Sequence, residues 1–441
     1  MLNNKRENMI PFDMTEPPVR VPSYLQPFIL GAAYIMTKPL KLKIRRHGME
    51  NITGPFLVLS THQGFSDYYI APLALSRYRA NYVSDMEGFA AFGKKLYRNL
   101  GCIGKRRYVP DVTVLQNIGK CFEAGRPVVI FPESRHSNVG TTSLIPKNMG
   151  RLAKHFAKRY NIPLVILSCY GCYLTNPFWD EEHTRKGRLE ADLSLLYTAD
   201  ELLSLDDNVI QQAIESALSY DEYAWQEENH IAFKGKNLAE GLHLPLYQCQ
   251  SCGSKYTMLS HDDRIGCKEC RKVWKLRPYG RLYDSDKNAY SIVDWYNSER
   301  DCAEQELETH IGKNTPASER QASIKSFNVR IEALPNEYGF VKLGEGRLTL
   351  TVDSFKLVFC PPKKYNYTPP EWVYSKNGSV TINFPHKTRE SLQTEYNYRG
   401  RGPAVVLSSQ GMCYYLYSDD KDFSPTELQF IAEKLTQLVQ V

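Results

Sequence analysis

The sequence predicts an α/β domain with a mostly parallel sheet, a small cysteine ribbon, and a C-terminal mainly-β domain. Three observations predict it. From about residue 50 to 200, apolar runs alternate with helical patterns. Residues 249–270 hold two Cys-x2-Cys pairs. From residue 326 the pattern becomes short β-type runs broken by Gly, Asn-Gly and Pro. The expected division is a polar N-terminal segment (1–21), the α/β domain (22–247), the ribbon (248–277), a linker (278–325) and the β domain (326–441).

The elements follow in order. Residues 22–46 run from apolar to basic and admit two readings. One is a segment lying in a lipid interface, with Lys41, Lys43, Arg45 and Arg46 near headgroups. The other is a core helix followed by a basic strand. FLVLS is the first apolar strand and YYIAPLALSRY the helix after it. ANYVSD is a strand that leads into a helix toward LYRNLG. VTVLQNIGKCFEAG is a helix stopped at Gly125, and PVVIF a strand. MGRLAKHFAKRY is a helix, while PLVILSCYG and RKGRLEADLSLLY are strands. The stretch 199–224 is helical, with Asp206 or Asp207 as a cap. Unbroken apolar strands imply burial on both faces, hence a mostly parallel sheet.

Composition narrows the function classes. No stretch of 18 consecutive apolar residues is present, so no spanning helix is expected. The first residues lack an apolar signal core, so no secretory peptide is expected. Eleven cysteines in 441 residues are not a disulfide scaffold, which suits a reducing compartment. A net charge of +6 suits anionic lipid or phosphate ligands.

His62 and Asp67 follow the first strand. Five residues apart on a continuous helix they would lie about 140° apart, so they meet only if the chain turns, and Gly64 permits a turn. A carboxylate holding an imidazole in one tautomer is what a general base needs. PVVIFPESRHS repeats the pattern of apolar strand, Pro break and charged loop, with Glu133, Arg135 and His136.

These blocks resemble the glycerolipid acyltransferases, typified by lysophosphatidic acid acyltransferase. That family has His-x4-Asp, then Gly-x-Ile-x-x-x-Arg, then Phe-Pro-Glu-Gly-x-Arg-Ser, then an Ile/Val-Pro strand. Here they correspond to the His62–Asp67 pair, GCIGKRR (101–107), FPESRHS (131–137) and IPLVILSCYG (162–171). The resemblance covers about residues 22–200. It implies O-acyl transfer without an acyl-enzyme, from acyl-CoA or acyl-carrier protein to a lysophospholipid, foremost 1-acylglycerol-3-phosphate, in phospholipid biosynthesis. His62 would be the base and Asp67 its orienting carboxylate. Arg107 would bind the acceptor's phosphate, with Lys105 and Arg106 as neighbours, and Glu133 would shape the acceptor site. One departure stands out: Ser134 replaces the family's Gly, Arg135 comes one position early, and His136 takes the usual arginine place. The acceptor-side set is therefore Lys105, Arg107, Glu133, Ser134, Arg135 and His136, with His136 a phosphate donor if protonated. Lys147 is a weaker candidate. The altered loop also leaves open a catalytically weak lipid- or protein-binding adaptor.

Cys249, Cys252, Cys267 and Cys270 have the spacing of a tetrahedral thiolate site, with structural Zn2+ favoured and placed away from the chemistry. Lys255, Lys268, Arg271 and Lys272 lie nearby, but Asp262, Asp263 and Glu269 interleave, so no nucleic acid partner is expected. Cys169 and Cys172 also form Cys-x2-Cys. They lie in an apolar strand run, where residues three apart face opposite ways, so both read as core thiols. Strands from 326, closed by an amphipathic helix capped at Ser424, resemble a PH/GRAM-type fold. The expected location is cytoplasmic, peripheral on the inner face of the membrane, and a membrane surface is the expected partner.

Overall fold

The computed structural model describes residues 9–180, 182–311, 322–363, 365 and 367–440. Parts of the expected N-terminal segment (1–8) and linker (312–321) lie outside them.

The first domain is built on a seven-stranded sheet: β1 (Lys43–His47), β2 (Leu57–Ser60), β3 (Asn81–Asp85), β4 (Cys102–Lys105), β5 (Val128–Ile130), β6 (Leu164–Tyr170) and β7 (Glu190–Tyr197), in the order β1-β7-β6-β2-β5-β3-β4. Strands β2 to β6 run parallel, and β7 pairs antiparallel with β6. Helices α1 (Gln26–Thr37), α2 (Asp67–Ala74), α3 (Met86–Phe92), α4 (Lys94–Asn99), α5 (Val112–Glu123), α6 (Met149–Tyr160), α7 (Cys172–Thr175), α8 (Ala199–Ser204), α9 (Asp207–Leu218) and α10 (Glu222–Glu228) surround it. Alternation along the strands explains the layers. Leu57, Leu59, Val128, Ile130, Leu164 and Ile166 share a core with α5, α6 and α9. The intervening Val58, Val129, Val165 and Leu167 pack on Ile70, Ala71 and Ala74 of α2. Gly125 takes φ +70°, just past the end of α5, and Asp206 caps α9 by accepting from Asn208 N at 2.9 Å.

The segment 22–46 has the helix and basic strand of the second reading, but the helix is not in the core. It forms α1 and then the basic strand β1, and most of α1 faces outward. Phe28 is 73% exposed and Ile35 69%.

A second, antiparallel sheet has the order β12-β11-β10-β9-β8. Its strands are β8 (Met258–His261), β9 (Arg264–Cys267), β10 (Val273–Leu276), β11 (Arg281–Tyr283) and β12 (Ala289–Ser291). The reach expected as a linker therefore holds two strands and a long helix, α11 (Ile292–Ile311). Its charged surface hid an apolar stripe, Ile292, Trp295, Tyr296, Ala303 and Leu307, which is buried.

The last eight strands form one antiparallel sheet: β13 (Lys325–Asn336), β14 (Gly339–Leu350), β15 (Ser354–Phe359), β16 (Val373–Tyr374), β17 (Val380–Pro385), β18 (Gln393–Glu395), β19 (Ala404–Ser408) and β20 (Cys413–Tyr417). Helix α12 (Pro425–Gln440) closes one face, and Ser424 Oγ accepts from Glu427 N. The other face packs on the first domain: Tyr415 and Tyr417 share a core with Met86, Phe89 and Tyr97. The β domain is thus docked against the edge where β3 and β4 end.

Candidate active site

The site forms where parallel strands end side by side. Leu59 of β2 pairs with Ile130 of β5, so His62 and Glu133, each three residues on, leave the sheet together. Glu133 Oε1 accepts from the His62 backbone N at 2.9 Å, and its Oε2 accepts from Ser143 N at 2.6 Å and Tyr220 OH at 3.1 Å. Burial pushes the Glu133 carboxyl up, while these donors pull it down.

The chain turns sharply after His62. Asp67 N donates to Gly64 O, and Asp67 Oδ2 accepts from Gln63 N at 2.7 Å and Gly64 N at 3.1 Å. The same oxygen lies 3.4 Å from His62 Nδ1. The carboxylate is fixed by backbone donors and in turn fixes the imidazole, leaving Nε2 as the basic atom of that tautomer. Gly64 has a reason other than a left-handed turn: a Cβ there would lie 3.1 Å from the Cys172 carbonyl oxygen. The His62 ring packs on Phe131 (4.6 Å between centroids) and His136 (4.4 Å) and meets Tyr68 edge-on. His62 is 6% exposed, and the more open Phe65 and Tyr68 rim it.

The loop after Glu133 keeps a backbone that favours glycine: Ser134 has φ +58° where the resembled family has Gly. Residues 43–167, which span this pair and this loop, match the family model described as Acyltransferase. They are an acyltransferase domain. The chain is also similar to the crystal structure of the 1-acyl-sn-glycerophosphate (LPA) acyltransferase PlsC from Thermotoga maritima, at 17% identity and TM-score 0.34, over 44% of this chain and 77% of that one. No curated protein matches the chain.

Within the acyltransferase domain, the basic residues meet partners that the sequence did not suggest. Arg107 binds Asp85 Oδ2 at 2.5 Å and Glu87 Oε1 at 3.1 Å, with Glu395 Oε1 of the β domain at 3.8 Å. Burial opposes its charge, but Glu87 and Asp85 outweigh burial and hold the guanidinium firmly protonated. Arg135 is buried, with Nη2 3.7 Å from Glu433 Oε1 on α12. Its Nε and Nη1 have no partner among the described residues. Lys105 Nζ donates to the Arg106 carbonyl at 3.4 Å, and burial lowers its pKa. Arg106 turns to the Phe12 carbonyl, and Lys147 is exposed. His136 is not suited to meet phosphate as a cation, because burial, then His62 and Arg107, hold its imidazole well below the usual range.

Two contributors lay outside the sequence reading, and one pair within it is placed differently. Tyr220 reaches Glu133 from the segment before α10. Gln63 Nε2 donates to Cys169 O at 2.6 Å. Cys169 and Cys172 do not face opposite ways. Gly171, at φ +83°, ends β6 between them, and both thiols come within 4.8 Å of an Asp67 oxygen. The glycine was the available signal, since it stops the alternation on which the opposite-face argument depended.

Glu222, also buried, accepts from Gly171 N with both oxygens at 2.9 and 2.8 Å. Burial pushes its pKa up to about 8. A folded pKa above the unfolded value means stability that is full below about pH 4.5 and falls as pH rises toward 8. Glu222→Gln is therefore expected to remove a slope on the order of 1 kcal/mol per pH unit in that window, read from urea melts at pH 5, 6.5 and 8. A slope unchanged by the substitution refutes this.

The four ribbon cysteines converge. Cys249 Sγ lies 3.7 Å from Cys270 Sγ, and Cys252 Sγ 3.8 Å from Cys267 Sγ. Metal–sulfur bonds of about 2.3 Å at tetrahedral angles require sulfur separations of about 3.8 Å. Cys249 Sγ also accepts from Ser251 N at 3.4 Å, the backbone donation a thiolate ligand receives. The donor set thus fits Zn2+.

Proposed function

We propose that the protein is an O-acyltransferase that moves a fatty acyl group from acyl-CoA or acyl-carrier protein to the hydroxyl of a lysophospholipid, in phospholipid biosynthesis. The carrying observation is His62 Nδ1 at 3.4 Å from Asp67 Oδ2, beside a Glu133 that anchors the His62 amide. His62 Nε2 would take the hydroxyl proton as the oxygen attacks the thioester carbonyl, and the thiolate leaves without a covalent enzyme intermediate. Asp67 would stabilise the resulting imidazolium. The resemblance implies 1-acylglycerol-3-phosphate as acceptor, whereas the ion pairs of Arg107 favour a different headgroup. The test is mass spectrometry of lipids after incubation with mixed lysolipids and acyl-CoA. Absence of any acylated product, with the thioester intact, rejects the reading. The low exposure of His62 favours one rival, an adaptor on the acyltransferase fold, and that same result would support it.

We further propose that α1 seats the protein on the membrane, on the inner face. Among the described residues no helix is long and apolar enough to cross a membrane. Yet Phe28, Tyr34, Ile35 and Met36 are all more than half exposed, and the basic β1 follows. Each large apolar side chain entering lipid contributes about 1.5–3 kcal/mol. Phe28→Asp with Ile35→Asp should therefore cut flotation with anionic vesicles at least about tenfold, and unchanged flotation refutes the seat. Structural Zn2+ on the ribbon and a PH/GRAM-type identity for the β domain complete the proposal. The second is supported by an antiparallel sheet closed by one C-terminal helix.

A further inference from the structure

The β domain does more than follow the acyltransferase domain: it closes over the loop that carries Arg135 and His136. Asn138 Nδ2 donates to Gln429 Oε1 at 2.7 Å, and Thr394 Oγ1 donates to Asn138 Oδ1 at 3.2 Å. Phe178 packs edge-on to His136 and tilted against Tyr396, with ring centroids 5.7 Å from each. The wall beside the candidate base is therefore built partly from β18 and α12.

The charges on that wall decide what it can hold. Asp85, Glu87 and Glu395 face Arg107, and Glu433 lies between Arg135 and Arg300, so the arginines are matched by carboxyl groups. A phosphomonoester brings about 1.5–2 negative charges at neutral pH. It would have to displace Asp85 and Glu87 from Arg107 or enter a region without net positive charge. The neutral His136 offers it no compensation.

The wall is not purely acidic either. Arg135 is 4% exposed, and its Nε and Nη1, with His136 Nε2, have no partner among the described residues. The buried guanidinium donors call for an oxygen acceptor. One guanidinium with open donors, on a wall whose carboxyl groups are already paired with arginines, complements the single charge of a phosphodiester at Arg135 better than the second charge of a phosphomonoester.

We propose that the acyl acceptor is a lysophospholipid whose phosphate is masked as a diester, such as an ethanolamine lysophospholipid, held at Arg135, with Glu395 and Glu433 of the β domain and Asp85 and Glu87 turning away a second phosphate charge. This deepens the acyltransferase reading and rests on it.

The test uses the full chain, acyl-CoA and three acceptors of one chain length in mixed micelles: lysophosphatidate, an ethanolamine lysophospholipid and a monoacylglycerol. The expected kcat/KM for the ethanolamine lipid exceeds each of the others by at least about tenfold. Lysophosphatidate as good or better overturns the proposal, as does monoacylglycerol equal to the ethanolamine lipid. No transfer to any acceptor overturns the acyltransferase reading itself, so the two failures are distinct. Glu395→Gln should narrow the preference over lysophosphatidate about tenfold, chiefly through the KM of the anionic lipid. An unchanged preference removes Glu395 from the selecting set. If Glu395→Gln does not fold, Asp85→Asn carries the same measurement.

Discussion

Replacing His62 with alanine lowers kcat about 10²–10⁴-fold, the usual contribution of a positioned general base, with little change in KM. Among the described residues the ring bonds only to Asp67 and otherwise packs on Phe131, Tyr68 and His136. The backbone N that anchors Glu133 is untouched. The melting temperature should therefore move by only a few degrees, and His62→Gln, which refills the space, should restore stability but not turnover. Asp67→Asn refines the test. Its remaining oxygen can still accept from Gln63 N and Gly64 N, so the turn survives, but the partner that selects the imidazole tautomer is weakened. A loss of at least about 10²-fold is expected. Steady-state thioester release beside thermal melts separates the roles. Full turnover in a folded His62→Ala variant would dismiss the histidine as base.

Removing the zinc proposed for the ribbon should have the largest effect on stability. Structural zinc sites contribute about 10–16 kcal/mol to folding of their small domains. Here the ribbon does not stand alone. Trp274 of β10 packs on Trp295 of α11 at 4.9 Å, and Leu282 and Leu246 belong to the same core as Phe430 of α12. Lys255 and Tyr256, between the cysteine pairs, both hold Glu427 of α12. Loss of the metal should loosen the ribbon and propagate to the β domain, so Cys267→Ser or chelation should lower the melting temperature by about 10 °C or more, with a change in tryptophan fluorescence. One zinc per chain by elemental analysis is the accompanying expectation. Well under one metal per chain, with a melt indifferent to chelator, would defeat it.

The two results bear on different parts of the sequence reading. The cysteine spacing and the His62–Asp67 pair were legible because both are local: a few residues and one turn decide each geometry. Arg107 was not. Its matched block suggests a phosphate ligand, but its partner Glu395 lies in another domain, and no pattern near residue 107 announces it. The same is true of Glu87, whose oxygen binds both Arg107 and the Tyr415 hydroxyl. The supposed linker failed for a related reason. A charged helix shows its exposed residues first, and its apolar stripe gains meaning only from the ribbon and α12 on which it packs.

Periodicity, capping and residue spacing were enough for the sequence to determine the alternating strands and helices, the thiol quartet, the helix start at Ser424, and the pairing of an imidazole with a carboxyl across one turn. These depend on short-range sterics and hydrogen bonds that any fold must respect. Only the tertiary structure decided that β2, β5 and β6 end side by side, that the Cys169 and Cys172 thiols approach Asp67, and that the C-terminal domain supplies carboxyl groups to the arginines of the first. Strand order and domain docking are set by summed burial over surfaces distant in sequence, and so is the charge around the candidate base.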